Sequence, residues 1–267
     1  MSTNALIDDT ALTAPRISAM RQWWTLAGRG VAGIISSGEF VFAIMAPAFL
    51  AVCFYLPLRS MMDAGGMDYA QYLMPIIALQ SVGFVASASA MRSSADGLRG
   101  INVRFRAMPI HPAVPMAARG TANAVLLVIS LIFATIASLL IGWRPHGGVL
   151  GTIGLYVVVL VVGMLVAVVA DAAGLLARSP ESVSQMISLP VLILGMLSTG
   201  FVPAERFPDW IAPFARNQPV SQFSDAMRAF NDGSATWTVV APTVYWCAGL
   251  AVFAAGLLYW AERRARG

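Results

Sequence analysis

The sequence predicts an all-α integral membrane protein: six transmembrane helices, an N-terminal interfacial helix, and an extracellular re-entrant helical hairpin before the last span. Three observations predict it. The chain is 58% hydrophobic and only 11% charged, whereas soluble domains carry about 25% charged residues. Its mean hydropathy is +0.73. Six stretches are apolar and uncharged over roughly the 20 residues that a helix needs to cross a hydrocarbon core of about 30 Å. Backbone polar groups in lipid must be satisfied within the segment, so these stretches read as helices.

The spans fall at about residues 40–58, 70–91, 120–143, 149–170, 183–204 and 235–261. The first carries Pro47 and Pro57 near its ends. The fourth stops at Asp171, the fifth holds Pro190, and the sixth ends at Glu262. Arginine placement sets the orientation. With both termini in the cytoplasm, twelve arginines lie on the inner side, and Arg59, Arg144, Arg206, Arg216 and Arg228 lie outside. The expected location is the cytoplasmic membrane. Residues 1–15 read as a disordered cytoplasmic tail without a cleavable signal, and residues 16–267 as one transmembrane domain.

Composition excludes several chemistries. All 17 basic residues are Arg. A Walker A loop needs a Lys on the phosphates and a Schiff base needs a Lys amine, so neither belongs to this chain. Cys53 and Cys247 lie inside apolar runs, as small core residues do. His111 and His146 flank different spans. No HExxH, CxxC or paired-carboxylate pattern occurs. No metal site and no catalytic residue are expected.

Three segments do not span. In "RISAMRQWWTLAGRGVAGIISSG" (16–38), Ile17, Met20, Trp24 and Ala27 recur at helical spacing. Trp at the interface and Arg toward the headgroups suit a helix lying on the inner leaflet. The plainer reading is a polar lead-in to the first span. The inner loop 92–119 holds five Arg and one acid, with Phe105, Met108 and Ile110 among the charges. Exposed apolar anchors ringed by Arg suit a docking surface, whereas a plain positive-inside loop would not need them. The outer segment 205–234 is broken by prolines. After Pro219, which suits a first helical turn, Val220, Phe223, Met227 and Phe230 share one face; Ser221, Gln222, Ser224, Asp225 and Arg228 lie largely on others. This helix is too short to span. Its apolar stripe needs cover from the tops of other spans or from the outer leaflet. With "FPDWIAPF" (207–214) before it, the segment reads as a re-entrant hairpin.

Polar residues inside spans are expensive. Gln80, near the middle of the second span, either faces a translocation path or bonds a neighbouring helix. Asp171 is expected to pair with Arg178. Ala86 and Ala90 give a small-residue face for close helix packing.

Six spans, an inner-leaflet helix, an Arg-rich inner loop and a hairpin before the last span resemble the ABC-2 type permease. "LSTGFVPAERFPDWIAPFARNQPVSQFSDAMRAF" (197–230) resembles the daunorubicin-resistance branch of actinobacteria. "GEFVFAIMAPAFLAVCFYLPL" (38–58) and "GINVRFRAMPIHP" (100–112) look like its mycobacterial members. The resemblance implies a permease subunit of an ATP-driven exporter, acting as a dimer with a second protomer (the same chain or a paralogue). A separate ABC ATPase subunit would hold ATP and Mg; this chain itself binds no cofactor and no nucleic acid. It implies a lipid or amphiphilic drug as substrate, of the phthiocerol dimycocerosate, phenolic glycolipid or anthracycline type.

On that reading Arg99, Arg104, Phe105, Arg106, Met108 and Pro109 contact the ATPase. Trp210, Phe214, Arg216, Asn217, Gln218, Pro219 and Phe223 form an extracellular gate. In this reading Arg216, Asn217 and Gln218 bond backbone carbonyls; the alternative is a passive anchor held by Trp210, Phe214 and Phe223. Three other function classes compete. An ion-coupled secondary transporter would want deeper intramembrane acids. An intramembrane enzyme would want a catalytic constellation. A non-catalytic scaffold would leave the Arg-rich loop unexplained.

Overall fold

Where the sequence alternates long apolar runs with Gly, Pro and Ser breaks, the chain folds into helices joined by short turns. A computed structural model describes residues 18–63, 65–108, 110–111 and 113–264; the tail at 1–15 lies outside them. Among the described residues every regular element is helical: α1 (Ala19–Ser36), α2 (Glu39–Asp63), α3 (Tyr69–Leu98), α4 (Ile101–Ala107), α5 (Ala113–Ile141), α6 (Gly148–Leu176), α7 (Pro180–Met196), a 3-10 turn (Ala204–Arg206), α8 (Ala212–Asn217), α9 (Pro219–Asn231) and α10 (Trp237–Arg264).

Local chemistry starts these helices. The Ser18 hydroxyl accepts from the Arg21 amide at 3.4 Å. Asp68 accepts from the amides of Ala70 and Gln71 at 3.1 and 3.3 Å. Ser179 accepts from the Ser182 amide at 3.3 Å, with Pro180 in the first turn. Each cap satisfies an amide that the helix leaves without a carbonyl. The turn at Ser37 and Gly38 (φ 77°) separates α1 from α2, so α1 is a helix of its own. At Gly100 (φ 67°) the chain turns from α3 into α4, a backbone conformation that favours glycine.

Helix α3 is the mast of the bundle. Of its most apolar window 83% is buried inside the protein, against 17% for α2 and for α10. It packs on α2, α5, α6 and α7. Small residues allow the approach to α6: Ala86 and Ala90 are fully buried with Ala170. A Cβ on Gly174 would sit 2.4 Å from the Ala90 carbonyl oxygen. The small-residue face read at Ala86 and Ala90 is thus a packing face.

Five helices among the described residues, α2, α3, α5, α6 and α10, are long and apolar enough to cross a membrane. The fifth expected span differs. It was read to 204, yet α7 stops at Met196 after 17 residues, about 26 Å of rise. Residues 197–203 leave the helix. The reason is local: the Ser198 hydroxyl donates to the Gly195 carbonyl at 2.6 Å and accepts from the Gly200 amide at 3.1 Å. A side chain bonding its own backbone competes with helix continuation.

Where the re-entrant hairpin is expected, two short helices, α8 and α9, follow each other, and protein covers the apolar stripe of α9. Phe223 and Met227 are buried in the main core, with Val220 and Phe230 packed against it. Ser221 and Ser224, read as lying away from that face, are fully buried as well. The C-terminal end of α9 sits in a groove of glycines at the start of α6. A Cβ on Gly147 would lie 2.1 Å from the Phe230 oxygen, one on Gly151 2.3 Å from the same atom, and one on Gly154 2.4 Å from the Phe230 ring. Gly151→Val should therefore undock α9 and destabilise the protein by about 1–3 kcal/mol, the usual range for overpacking. Thermal unfolding in detergent checks this. Gly256→Ala, where nothing lies within 4 Å, should leave the midpoint unchanged.

Candidate functional site

Two polar assemblies occupy opposite ends of α3, built around Tyr72 and Arg92 and so about 30 Å apart along its axis. The first ties α9 to the break after α7. Arg228, on α9, stacks over the Tyr72 ring at 3.7 Å. Its guanidinium donates to the carbonyls of Thr199 (3.1 Å), Gly200 (3.0 Å) and Tyr72 (3.3 Å), and to the Asp225 carboxylate (2.8 Å). The Tyr72 hydroxyl donates to the Thr199 carbonyl, and the Tyr69 hydroxyl to the Phe201 carbonyl at 3.2 Å. Ser221 closes the assembly: its hydroxyl accepts from the Thr199 amide at 3.0 Å and donates to the Ala215 carbonyl. The planar fork of Arg meets several carbonyls at once while its face rests on an aromatic ring, which a Lys ammonium does not do.

The expected gate residues divide. Gln218 is buried and donates to the Leu194 carbonyl at 2.7 Å, linking the hairpin to α7. Asn217 donates to the Pro213 carbonyl at 2.8 Å. Both therefore bond backbone carbonyls. The Arg216 side chain is exposed, and its own carbonyl accepts from Gln222 at 2.8 Å. Pro219 opens α9. Trp210 is 80% exposed and Phe214 51%, whereas Phe223 is 4% exposed in the core. The aromatic trio is thus split between surface and interior. Sequence reasoning missed Arg228 and Tyr72 as the centre. The available signal was an arginine at i+3 from an aspartate on a short amphipathic helix.

The second assembly lies at the other end of α3. Arg92 pairs with Glu39 and donates to the Asn123 side chain at 2.6 Å; Asn123 donates to the Ser89 hydroxyl at 2.9 Å. Asp171 contacts Arg119 of α5 at 3.2 Å, not Arg178 as the sequence suggested. The reason is helix geometry. Helix α6 ends at Leu176, so Arg178 has left the helical face and is exposed. Arg119 reaches Asp171 from a neighbouring helix.

The Arg-rich loop 92–119 contains α4, between α3 and α5. Arg99 caps the C-terminal end of α3. Arg104 is exposed, Val103 is 70% exposed and Met108 44%. Phe105 turns inward, with the Arg29 guanidinium of α1 at 5.6 Å from its ring centre. The Arg106 side chain and Pro109 lie outside the described residues. Gln80 is buried at 7% exposure against Gly195 of α7, where a Cβ would lie 2.9 Å from its side-chain oxygen.

Comparison with known proteins follows this geometry. The profile of the ABC-2 family transporter proteins matches residues 54–260. The doxorubicin resistance ABC transporter permease protein DrrB of Mycobacterium tuberculosis is 35% identical over 245 residues, covering 86% of this chain and 85% of that protein. The daunorubicin resistance ABC transporter permease protein DrrB1 of Streptomyces coeruleorubidus is 29% identical over 188 residues, 70% of this chain and 66% of that one. The probable doxorubicin resistance permease DrrC of M. tuberculosis is 26% identical over 224 residues, 84% of this chain and 81% of that one.

Arg228→Gln should release the 197–203 segment. Amide hydrogen exchange at Thr199–Phe201 should speed up by at least about tenfold, the scale of one lost charge-assisted hydrogen bond. Arg228→Lys should restore little of the protection. Unchanged exchange in Arg228→Gln would show that the segment holds without the guanidinium.

Proposed function

Because the chain belongs to the ABC-2 family of transporter proteins, we propose that it is the membrane permease subunit of an ATP-driven exporter moving amphiphilic drugs or lipids out of the cytoplasmic membrane. The observation that carries this is the 35% identity to a doxorubicin resistance permease over 86% of the chain. The absence of any Lys supports a division of labour, because a phosphate-binding P-loop requires one. ATP and Mg then belong to a separate ABC ATPase subunit.

On this reading there are six crossings. Helices α2, α3, α5, α6 and α10 are full spans, and α7 is a short one completed by the folded segment behind it. Both termini are cytoplasmic, as the arginine bias favours. The ATPase docks on α4 and its flanks through Arg99, Arg104, Arg106, Met108 and Pro109, with Phe105 transmitting its position to α1. At the outer end, the hairpin around Trp210, Phe214, Arg216, Asn217, Gln218, Pro219 and Phe223 roofs the path between two protomers. Closure of the ATPases moves the helices as rigid bodies, and the coupling equals the difference in contact free energy between two states. Gln80 belongs to the α3–α7 contact that such a movement would shear.

Affinity purification from the native membrane in mild detergent tests the class. A P-loop ATPase should co-purify in stoichiometric amount, and any second permease present defines the dimer. Purification of the chain alone in several detergents would favour an ion-coupled carrier or a scaffold. Arg104→Glu should weaken ATPase co-purification and lower substrate-stimulated ATP hydrolysis roughly tenfold, as removal of an interface hot spot does. Unchanged activity would move the docking site elsewhere.

A further inference from the structure

A cavity of about 520 Å³ opens between α1, α3, the start of α4 and α5, with Asp171 of α6 at its floor. That volume lies inside the roughly 300–1,000 Å³ range of small-molecule sites. Four arginines line it (Arg29, Arg92, Arg99, Arg119) against three carboxylates (Glu39, Asp96, Asp171). The floor is internally paired: Arg92 with Glu39, and Arg119 with Asp171. The Arg119 Nε–H is buried beside Asp171 yet makes no hydrogen bond. At the mouth, Arg29 and Arg99 are exposed and form no ion pair among the described residues. The lining therefore carries one surplus positive charge, with Arg29, Arg99 and Asp96 outside the two ion pairs.

The walls above the floor are apolar, through Leu26, Met91, Ile101, Phe105 and Pro115. One wall is α1, a helix whose Met20 and Trp24 are 68% and 71% exposed. Helix α1 is held against α5 by the Trp23 indole donating to the Thr121 hydroxyl at 3.1 Å, and by a close approach at Gly30, where a Cβ would lie 3.2 Å from the Ala122 side chain. An exposed Trp on an amphipathic helix places that helix at the level of lipid headgroups. Two exposed guanidiniums without an ion-pair partner among the described residues, above an apolar wall at headgroup depth, match a phosphate ester carrying hydrocarbon. Arg forks recognise phosphate oxygens by paired, charge-assisted hydrogen bonds.

We propose that this cavity is a phosphate-ester site whose occupant is the headgroup of an inner-leaflet glycerophospholipid, held by Arg29 and Arg99. The site goes beyond the export reading: it rests on the cytoplasmic placement of α4 proposed there and shares Arg99 with the docking surface, but its occupant is neither the ATPase nor the transported substrate. Because Phe105 lines the cavity and stacks with Arg29, an occupied site braces α1 against α4 from behind.

Native mass spectrometry of the full chain released from detergent tests it, with phosphatidylglycerol, phosphate-free diacylglycerol and inorganic phosphate as separate probes. Phosphatidylglycerol should remain bound where diacylglycerol does not. Binding should fall at least tenfold in an Arg29→Gln/Arg99→Gln double variant and recover only in part in Arg29→Lys/Arg99→Lys, which keeps the charge but not the fork, with unfolding midpoints unchanged across the set. Equal retention of diacylglycerol, or full phosphatidylglycerol binding by the double glutamine variant, would overturn the site. Inorganic phosphate binding as tightly as the lipid would keep the phosphate site and overturn the lipid as its source. Loss of ATPase co-purification has no bearing on these readouts, so failure of the export reading and failure of this site are distinguishable.

Discussion

A helix that ends inside an apolar bundle leaves carbonyls with no amide to receive, and each buried unmet carbonyl costs about 1–3 kcal/mol. Helix α7 ends in this way, at Met196. Gln218 meets the Leu194 carbonyl and Ser198 the Gly195 carbonyl, while Arg228, resting on Tyr72, delivers its guanidinium to the Thr199 and Gly200 carbonyls of the turn that follows. The Arg228 contact ties α9 to the turn after α7 and to Tyr72 of α3, with Phe223 and Met227 of the same helix in the core. The glycines of α6 complete it by letting the α9 backbone approach closely enough for the arginine to reach.

The other end of α3 works by a different device. Charged groups within a membrane-spanning bundle are costly and persist when paired. Glu39, Arg92, Asn123 and Ser89 form one chain of contacts across α2, α3 and α5, and Arg119 meets Asp171 between α5 and α6. Ion pairs of this kind add modest net stability, because desolvation offsets much of the attraction. Their effect is on register: each joins two helices at one height, and removal of either partner would strand a charge. Helices α2, α3, α5 and α6 are therefore positioned relative to one another by these side chains as well as by apolar packing.

The mast α3 connects the two assemblies. It carries Tyr72 at one and Arg92 at the other, and most of its length is buried. Such a helix transmits displacement as a rigid element, since packed interiors deform little. Helix α4 follows α3 directly after Gly100, so a displacement of α4 acts at one end of the helix whose opposite end bears the Arg228 contact.

What the sequence determined by itself was the class: helices, their approximate number and places, the separate α1, the short helices after Pro208 and the small-residue face at Ala86 and Ala90. These follow from composition, run length and local breakers, which act within a few residues of chain. The family branch was legible in the same way, from contiguous stretches such as 197–230. The tertiary structure alone decided which polar groups meet. Asp171 takes Arg119, 52 positions away in sequence, because the backbone turns Arg178 off the helix at its C-cap. Arg228 takes Tyr72 and the end of α7 because the glycines at 147, 151 and 154 admit α9 there. On what the helical wheel marks as a polar side, Ser221 enters the core because the 197–203 segment offers it the Thr199 amide, and Ser224 because it bonds the Ser221 carbonyl of its own helix. Periodicity assigns a residue to a face of its own helix. Only packing decides what stands opposite that face, and for polar groups in an apolar bundle the partner determines the role.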